Sequence, residues 1–184
     1  MADEGIQDFR SAKRKAAARL NVANKALLPD NTEIEQALLD YQRLFRVDLP
    51  DQLRALRETA LDAMRFLTRF RPRLVGSVLT GTACPHSDIS LHLFADVPEE
   101  VALFLMEHNR PFETSERRLR LSNGEHACFP VFRFEAGERC INLTVFQPLA
   151  EREAPRSPVD SRPMRRASVI EVQALLATES VPQR

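Results

Sequence analysis

The stretch that decides the fold is GSVLTGTACPHSDISLHLF, residues 76–94. Gly76 and Gly81 bracket a short turn, and Ser77 adds a hydroxyl donor to it. A glycine turn that follows a strand allows backbone N–H groups to approach an anion closely. The stretch therefore predicts an anion-binding turn at the end of one strand, followed by a second strand.

The second strand places apolar and polar side chains on opposite faces. Alternation sends one set to the core, Ile89, Leu91 and Leu93, and the other to the opposite face, Asp88, Ser90 and His92. The polar set is therefore the candidate site.

Residues 72–147 are predicted to form a mixed sheet with one crossover helix. The strand patterns are RLVGSVL, DISLHLF, FETSERRLRL, HACFPVFRF and CINLTVF, and PEEVALFLMEHN is predicted to be a helix capped by Asp96. Asn123 and Gly124 predict a two-residue hairpin turn between the third and fourth strands. Arginines 117, 118 and 120 are typical of an edge strand, where charge prevents pairing with other chains.

The flanking segments complete a three-part organisation, 1–71, 72–147 and 148–184. The first part is predicted to be helical, with a Thr32-x-x-Glu35 capping box and a second helix that starts near Pro50 and ends near Pro72. Residues 148–163 contain four prolines and are predicted to run as a strap over the surface, followed by a short helix. In this strap region Arg162, Arg165 and Arg166 are candidates to hold an anion or to pair with acidic neighbours.

Composition narrows the function classes. The chain has 184 residues and a formal net charge of zero, so it carries no overall electrostatic footprint for nucleic acid, and we expect no nucleic-acid partner. We find no apolar run long enough to span a membrane and no secretory signal, so we expect a cytoplasmic protein without membrane contact.

The three cysteines have no paired spacing, and Cys128 and Cys140 are expected to be small apolar fillers of strands. The motifs of serine hydrolases and P-loop ATPases are also missing.

The glycine and strand pattern resembles the nucleotidyltransferase superfamily of the polymerase-beta type. The residues that match at the family spacing are Gly76, Ser77, Gly81, Ser87, Asp88, Ile89 and Leu91. The resemblance implies an α+β fold, a nucleotidyltransferase-like mixed sheet with helices packed on one side, preceded by a helical N-terminal region. It also implies transfer of a nucleoside monophosphate from a triphosphate with two Mg²⁺ ions.

This chain departs from the family at the metal-binding acids. Asp88 fills the first acidic position, Ser90 stands at the second, and the late strand CINLTVF offers Asn142 and Thr144 in place of the third carboxylate. Two magnesium ions beside a triphosphate need carboxylates to offset their charge. A standard two-metal site is therefore not expected, although Mg²⁺ is retained as the cofactor of an active form. His92 beside Asp88 is a second candidate metal ligand, but imidazole suits zinc, iron or nickel better than magnesium.

Three hypotheses follow. The first is a catalytically degenerate protein that binds a nucleotide, another phosphorylated small molecule or a protein partner. The alternative is an active, atypical nucleotidyltransferase in which Asp88 works with one metal and with acids such as Asp30 or Glu33. In the third, the N-terminal helices form an interaction surface for a protein partner and the sheet is a scaffold. The predicted roles are Asp88 as the catalytic residue, Gly76, Ser77, Gly81, Ser87 and Ser90 as ligand-binding residues, and Asp88 and His92 as metal ligands.

Overall fold

The computed structural model describes residues 9–20, 28–45, 49–84 and 87–179. The elements are α1 (Phe9–Arg19), α2 (Asn31–Phe45), α3 (Leu49–Phe66), β1 (Arg73–Val75), α4 (Ser77–Thr80), β2 (Ile89–Phe94), α5 (Glu99–Glu107), β3 (Phe112–Arg120), β4 (His126–Ala136), β5 (Arg139–Phe146) and α6 (Val169–Glu179). Two 3-10 turns, Thr68–Phe70 and Pro148–Glu151, follow α3 and β5. Among the described residues no helix is long and apolar enough to cross a membrane.

The five strands form one mixed sheet in the order β1-β2-β5-β4-β3. β2 and β5 are parallel, and the other neighbours are antiparallel. The chain crosses from β2 through α5, β3 and β4 to β5, so the polar end of β2 lies beside a strand that is 52 residues away in sequence. The predicted mixed sheet is confirmed, and β3 is an edge strand as expected.

One face of the sheet is covered by helices. Its strand residues Leu74, Ile89, Leu91, Leu93, Ile141 and Leu143 are all fully buried against residues of α3, α5 and α6 such as Met64, Val101 and Val172. The predicted packing of helices on one side is confirmed. Because α3 and α6 share this core with the sheet, residues from all three predicted segments contribute to it. The boundaries 1–71, 72–147 and 148–184 stay a prediction.

The strap, which in the structure comprises residues 148–167, crosses the face of the sheet opposite the helices. Arg156 donates to the carbonyl oxygens of Ser122 and Ser161, and its own N–H donates to the carbonyl of Arg120. After the strap, Ala167 exchanges two backbone hydrogen bonds with Leu74 of β1. These contacts fasten residues 148–167 to both edges of the sheet, because β3 and β1 are its outer strands.

Two predicted helix caps were wrong. Asp30, not Thr32, begins α2: its carboxylate accepts from the N–H of Glu33 at 2.7 Å, and Glu33 accepts from the N–H of Asp30 at 2.8 Å. Asp30–Glu33 and Thr32–Glu35 each consist of a cap residue followed three residues later by glutamate, and the helix begins at the earlier pair. At α5 the N-cap is Pro98 and no side chain caps it, so Asp96 does not have the expected role.

Three further expectations need correction. The first strand ends at Val75, because positive φ at Gly76 turns the chain directly into α4, so Ser77–Thr80 is helical. The β3–β4 turn spans three residues, with Leu121 and Glu125 hydrogen-bonded across it and Gly124 at positive φ. Cys128 lies on β4 but is exposed, so it does not fill the core, and Cys140 is only half-buried.

Candidate functional site

Strand register brings together three residues that match the acidic positions of the family the chain resembles. Ser90 of β2 and Asn142 of β5 are direct partners across the parallel pair. The side-chain amide of Asn142 donates from Nδ2 to Oδ2 of Asp88 at 3.1 Å. The sequence left open whether Asn142 or Thr144 faces the site; the register selects Asn142, because Thr144 is paired with His92 and is buried.

The glycine turn borders this cluster. Gly76 has φ 74° and ψ −158°, a combination that L side chains rarely adopt, and a Cβ added there would lie 3.9 Å from Cβ of Ser90. Its carbonyl accepts from the N–H groups of Leu79 and Thr80, which closes the single turn of α4. The first N–H groups of such a turn have no acceptor within it, so they are available to a ligand at this end of β2. Ser77, the first residue of the turn, is half-buried.

The glycine turn is held in place from α3. The buried guanidinium of Arg57 donates to the carbonyl oxygens of Val78 and Leu79 at 3.0 and 3.1 Å. The same side chain forms an ion pair with Glu179 at the end of α6. Arg57 therefore joins α3, α4 and α6, a role that sequence analysis did not predict because its partners are 21 or more residues away.

Ser87 has a structural contact in the described structure. Its hydroxyl accepts from the N–H of Cys84 at 2.8 Å, and its own N–H donates to the carbonyl of Cys84 at 2.9 Å. The residue is buried. These bonds shape the approach to Asp88, and a direct bond from Ser87 to a ligand stays a prediction, as does the ligand-binding role of Gly81 at the C-terminal end of α4.

The structure adds a cation that sequence reasoning missed. Arg133 of β4 is the cross-strand partner of Asn142, which places it two strands from Ser90 on the same face. Its Nε donates to Sγ of Cys140 at 3.1 Å. This hydrogen bond raises the pKa of Arg133, and the nearby carboxylates of Asp88 and Glu113 contribute in the same direction. The site therefore has one carboxylate and one fixed, exposed guanidinium.

His92 has a different environment from Asp88 and Ser90. It is 1% exposed, its Nδ1 accepts from Nε of Arg166 at 3.0 Å, and its ring lies 4.5 Å from that of Phe146. Burial and the positive charges of Arg166 and Arg117 hold the pKa of His92 well below 6.5. A neutral imidazole that accepts from arginine fixes the strap to the sheet. The predicted metal-ligand role of His92 stays a prediction.

Arg166 is the strap's main contact with the sheet. Besides His92, its guanidinium donates to the carbonyl oxygens of Ala150 and Glu151 at 2.8 and 3.3 Å. It also lies over the rings of Phe94 and Phe146, 5.2 and 5.1 Å from their centroids. The strap arginines were predicted to hold an anion or to pair with acids, and Arg166 instead binds an imidazole, carbonyls and aromatic faces.

The donor set does not fit two magnesium ions. It consists of the carboxylate of Asp88, the hydroxyl of Ser90 and the amide of Asn142, and the NH₂ end of that amide is turned to Asp88 because a carboxylate only accepts. Arg133 adds positive charge where cations would bind. No group of three or more His, Cys, Asp or Glu in the described parts of the chain could hold a metal ion. Asp30 and Glu33, which the active alternative needs as extra acids, cap α2 through each other.

Comparisons with known proteins give distant structural matches. No protein-family model matches the chain, and neither does any curated protein. Among solved structures, a GLD-2/RNP-8 complex has a TM-score of 0.37 and 19% identity, a cytoplasmic RNA terminal U-transferase 0.35 and 15%, and the non-canonical poly(A) polymerase complex GLD-2–GLD-3 0.34 and 18%. The matches cover 64%, 65% and 60% of this chain and only 49%, 36% and 39% of those chains. Similarity at this level does not establish a shared activity, and it gives no support to the expectation that nucleic acid is not a partner.

Proposed function

We propose that this chain is a catalytically degenerate, nucleotidyltransferase-like protein that binds a nucleotide or another phosphorylated ligand without transferring a nucleotidyl group. The observation that supports the proposal is the charge balance around Asp88. Its two partners at the acidic positions, Ser90 and Asn142, are neutral, and the next residue across the sheet is Arg133. One negative and one positive side chain replace the three negative ones that two divalent ions require.

A guanidinium can take over part of the metal's role in binding, though not in catalysis. Arginine binds phosphate through two parallel hydrogen bonds and stays charged at every physiological pH. Arg133 is exposed, so it can reach a ligand above the sheet. The N–H groups of the Gly76–Ser77 turn would bind a second part of the same anion. The amide of Asn142 already donates to Asp88, which reduces the repulsion between that carboxylate and a phosphate.

The test is a thermal-shift titration with ATP, GTP, CTP and UTP, each in EDTA and in Mg²⁺. A ligand at one hundred times its Kd should add about 2.7 kcal/mol. For a chain of this size that corresponds to a rise in Tm of about 5 to 11 °C. We expect the rise in EDTA as well as in Mg²⁺ for at least one nucleotide.

Two variants separate the proposal from the active alternative. Arg133→Gln should weaken binding about tenfold, because it removes a charge-assisted hydrogen-bonding group. Arg118→Gln is the matched control, since it makes the same charge change on the exposed β3 with the side chain on the opposite face. Asp88→Asn should leave metal-free binding unchanged or strengthen it, because it removes a carboxylate near the phosphates.

The active alternative predicts the opposite behaviour for Asp88→Asn, a loss of Mg²⁺-dependent binding and of turnover. Magnesium-dependent release of pyrophosphate by the wild-type chain, abolished by Asp88→Asn, would refute the proposed degeneracy. No shift with any of the four nucleotides would favour the third hypothesis, in which a protein partner binds the helices α1 and α2.

A further inference from the structure

A cavity lies at the opposite end of the sheet from Asp88. It is formed where β2 and β5 end, at Ala95 and Gln147, between the β3–β4 turn and the 3-10 turn of the strap. Since a strand rises about 3.3 Å per residue, the seven residues from Asp88 to Ala95 place the cavity roughly 20 Å from the candidate site. It is therefore a separate site and does not depend on the proposed function.

The cavity has the size and lining of a small-molecule site. Its volume is about 570 Å³, within the range of about 300 to 1,000 Å³ that such sites have. The rings of Phe129 and Phe146 lie 4.6 Å apart; Phe146 is 2% exposed, so the half-buried Phe129 is the aromatic side chain open to the cavity, and Leu121 also lines it. Leu149 lines it too and is 82% exposed, so its apolar side chain is open to a ligand.

The charged side chains that line the cavity have one sign. Two carboxylates, those of Asp96 and Glu153, line it, and no Lys, Arg or His is among the described residues that do so. Carboxylates beside aromatic faces favour an organic cation, because the ring faces attract positive charge and the carboxylates pair with it. The aromatic cluster of Phe94, Phe129 and Phe146 already binds one guanidinium, that of Arg166, 5.1 Å from the centre of the Phe146 ring.

We propose that this cavity binds a small organic cation, an ammonium or guanidinium group carried on an apolar body. The apolar body would lie against Phe129 and Leu149, with the cationic group directed to Asp96 and Glu153. The volume of the cavity matches that of a site for a ligand of drug size, so we assign it to a small molecule and not to a protein surface.

Cys128 provides a direct readout. It is a free, exposed cysteine that lines the cavity, whereas Cys140 is a free cysteine beside Arg133 and outside the cavity. Alkylation of the full chain with a maleimide, followed by peptide mass spectrometry, gives the two rates in one sample. With phenylguanidinium at about ten times its Kd, the rate at Cys128 should fall about tenfold, because only the unbound chain reacts there. The rate at Cys140 should not change.

Matched probes and a variant make the inference falsifiable. Benzoate and benzyl alcohol have the same ring without the positive charge and should give no protection. Asp96→Asn combined with Glu153→Gln should raise the Kd of phenylguanidinium about fivefold or more. Both side chains are exposed, so we expect the variant to fold, which its far-UV circular dichroism would verify.

Three results would overturn the proposal: no protection by phenylguanidinium or benzylammonium, equal protection by benzoate, or an unchanged Kd in the double variant. A short arginine-containing peptide that protects Cys128 at much lower concentration than the free cations would overturn the small-molecule assignment and identify a peptide site instead.

Discussion

Acidification should destabilise this protein through His92. The imidazole is neutral in the folded state because burial and two arginines hold its pKa well below 6.5. In the unfolded chain the same group titrates near 6.5. Below that pH the unfolded chain binds a proton that the folded chain does not, so stability falls as pH decreases. Above it both states are neutral at this position, and the effect is absent.

The magnitude follows from linkage. Each pH unit below the unfolded pKa costs about 1.4 kcal/mol for one proton bound only by the unfolded chain. Integrated from pH 7 to pH 5, the loss is at most about 2 kcal/mol, the limit in which the folded chain binds no proton at His92 over this range. Carboxylates add their own pH dependence, so the contribution of His92 has to be obtained as a difference between two chains.

The assay is urea unfolding followed by far-UV circular dichroism, since the chain has no tryptophan and one tyrosine. His92→Gln retains an oxygen that can accept from Arg166 but does not titrate. We expect the variant to lose less stability than the wild-type chain between pH 7 and pH 5, by up to about 2 kcal/mol. His126→Gln removes an exposed histidine at the start of β4 without touching the Arg166 contact, and serves as the control. Equal losses in wild type and His92→Gln would refute the assignment of a buried neutral imidazole.

Two further predictions concern the glycine turn. Arg57→Met leaves the carbonyls of Val78 and Leu79 without their donor and should lower the free energy of unfolding by about 3 kcal/mol, or Tm by about 6 to 12 °C in calorimetry. The control Arg54→Met, one turn earlier on α3 and partly exposed, should cost less than about 1 kcal/mol. Equal costs would contradict the role of Arg57. Gly76→Ala forces a side chain into a backbone region of positive φ; it should cost about 1 to 3 kcal/mol of stability and weaken nucleotide binding. The control Gly137→Ala, also at positive φ but in the β4–β5 turn, should reduce stability alone. A loss of nucleotide binding in both variants would show that the effect is not local to the Gly76 turn.

The parts of the fold that could be predicted from sequence are those with a local cause. Alternation in DISLHLF placed Ile89 and Leu91 in the core, and the structure confirms it. Periodicity likewise predicted the helices α2 and α3. Helix boundaries were less certain because DNTEIE contains two overlapping cap patterns, and only the path of the chain into α2 selects Asp30 over Thr32.

The candidate site was predicted in part, for a physical reason. Strand alternation and the family resemblance identified Asp88 and Ser90, and they left Asn142 and Thr144 as the two candidates on the late strand. Arg133 was missed because its place in the site depends on the register of β4 against β5, and a one-residue shift would have turned it to the other face. The burial of His92 was missed because it is caused by Arg166, which is 74 residues away.

The contact between Arg166 and His92 divides the face of the sheet under the strap into two separate ends. Asp88 and Arg133 lie at one end, and the carboxylates of Asp96 and Glu153 at the other. Between them Arg166 covers His92 and the aromatic cluster, and it binds the carbonyls of Ala150 and Glu151 in the turn that borders the cavity. An anion at the first end and a cation at the second would therefore not compete for the same groups. Arg166 binds the carbonyl of Ala150, which lines the cavity, so a change at Arg166 should affect the second end, whereas Arg133→Gln should affect only the first.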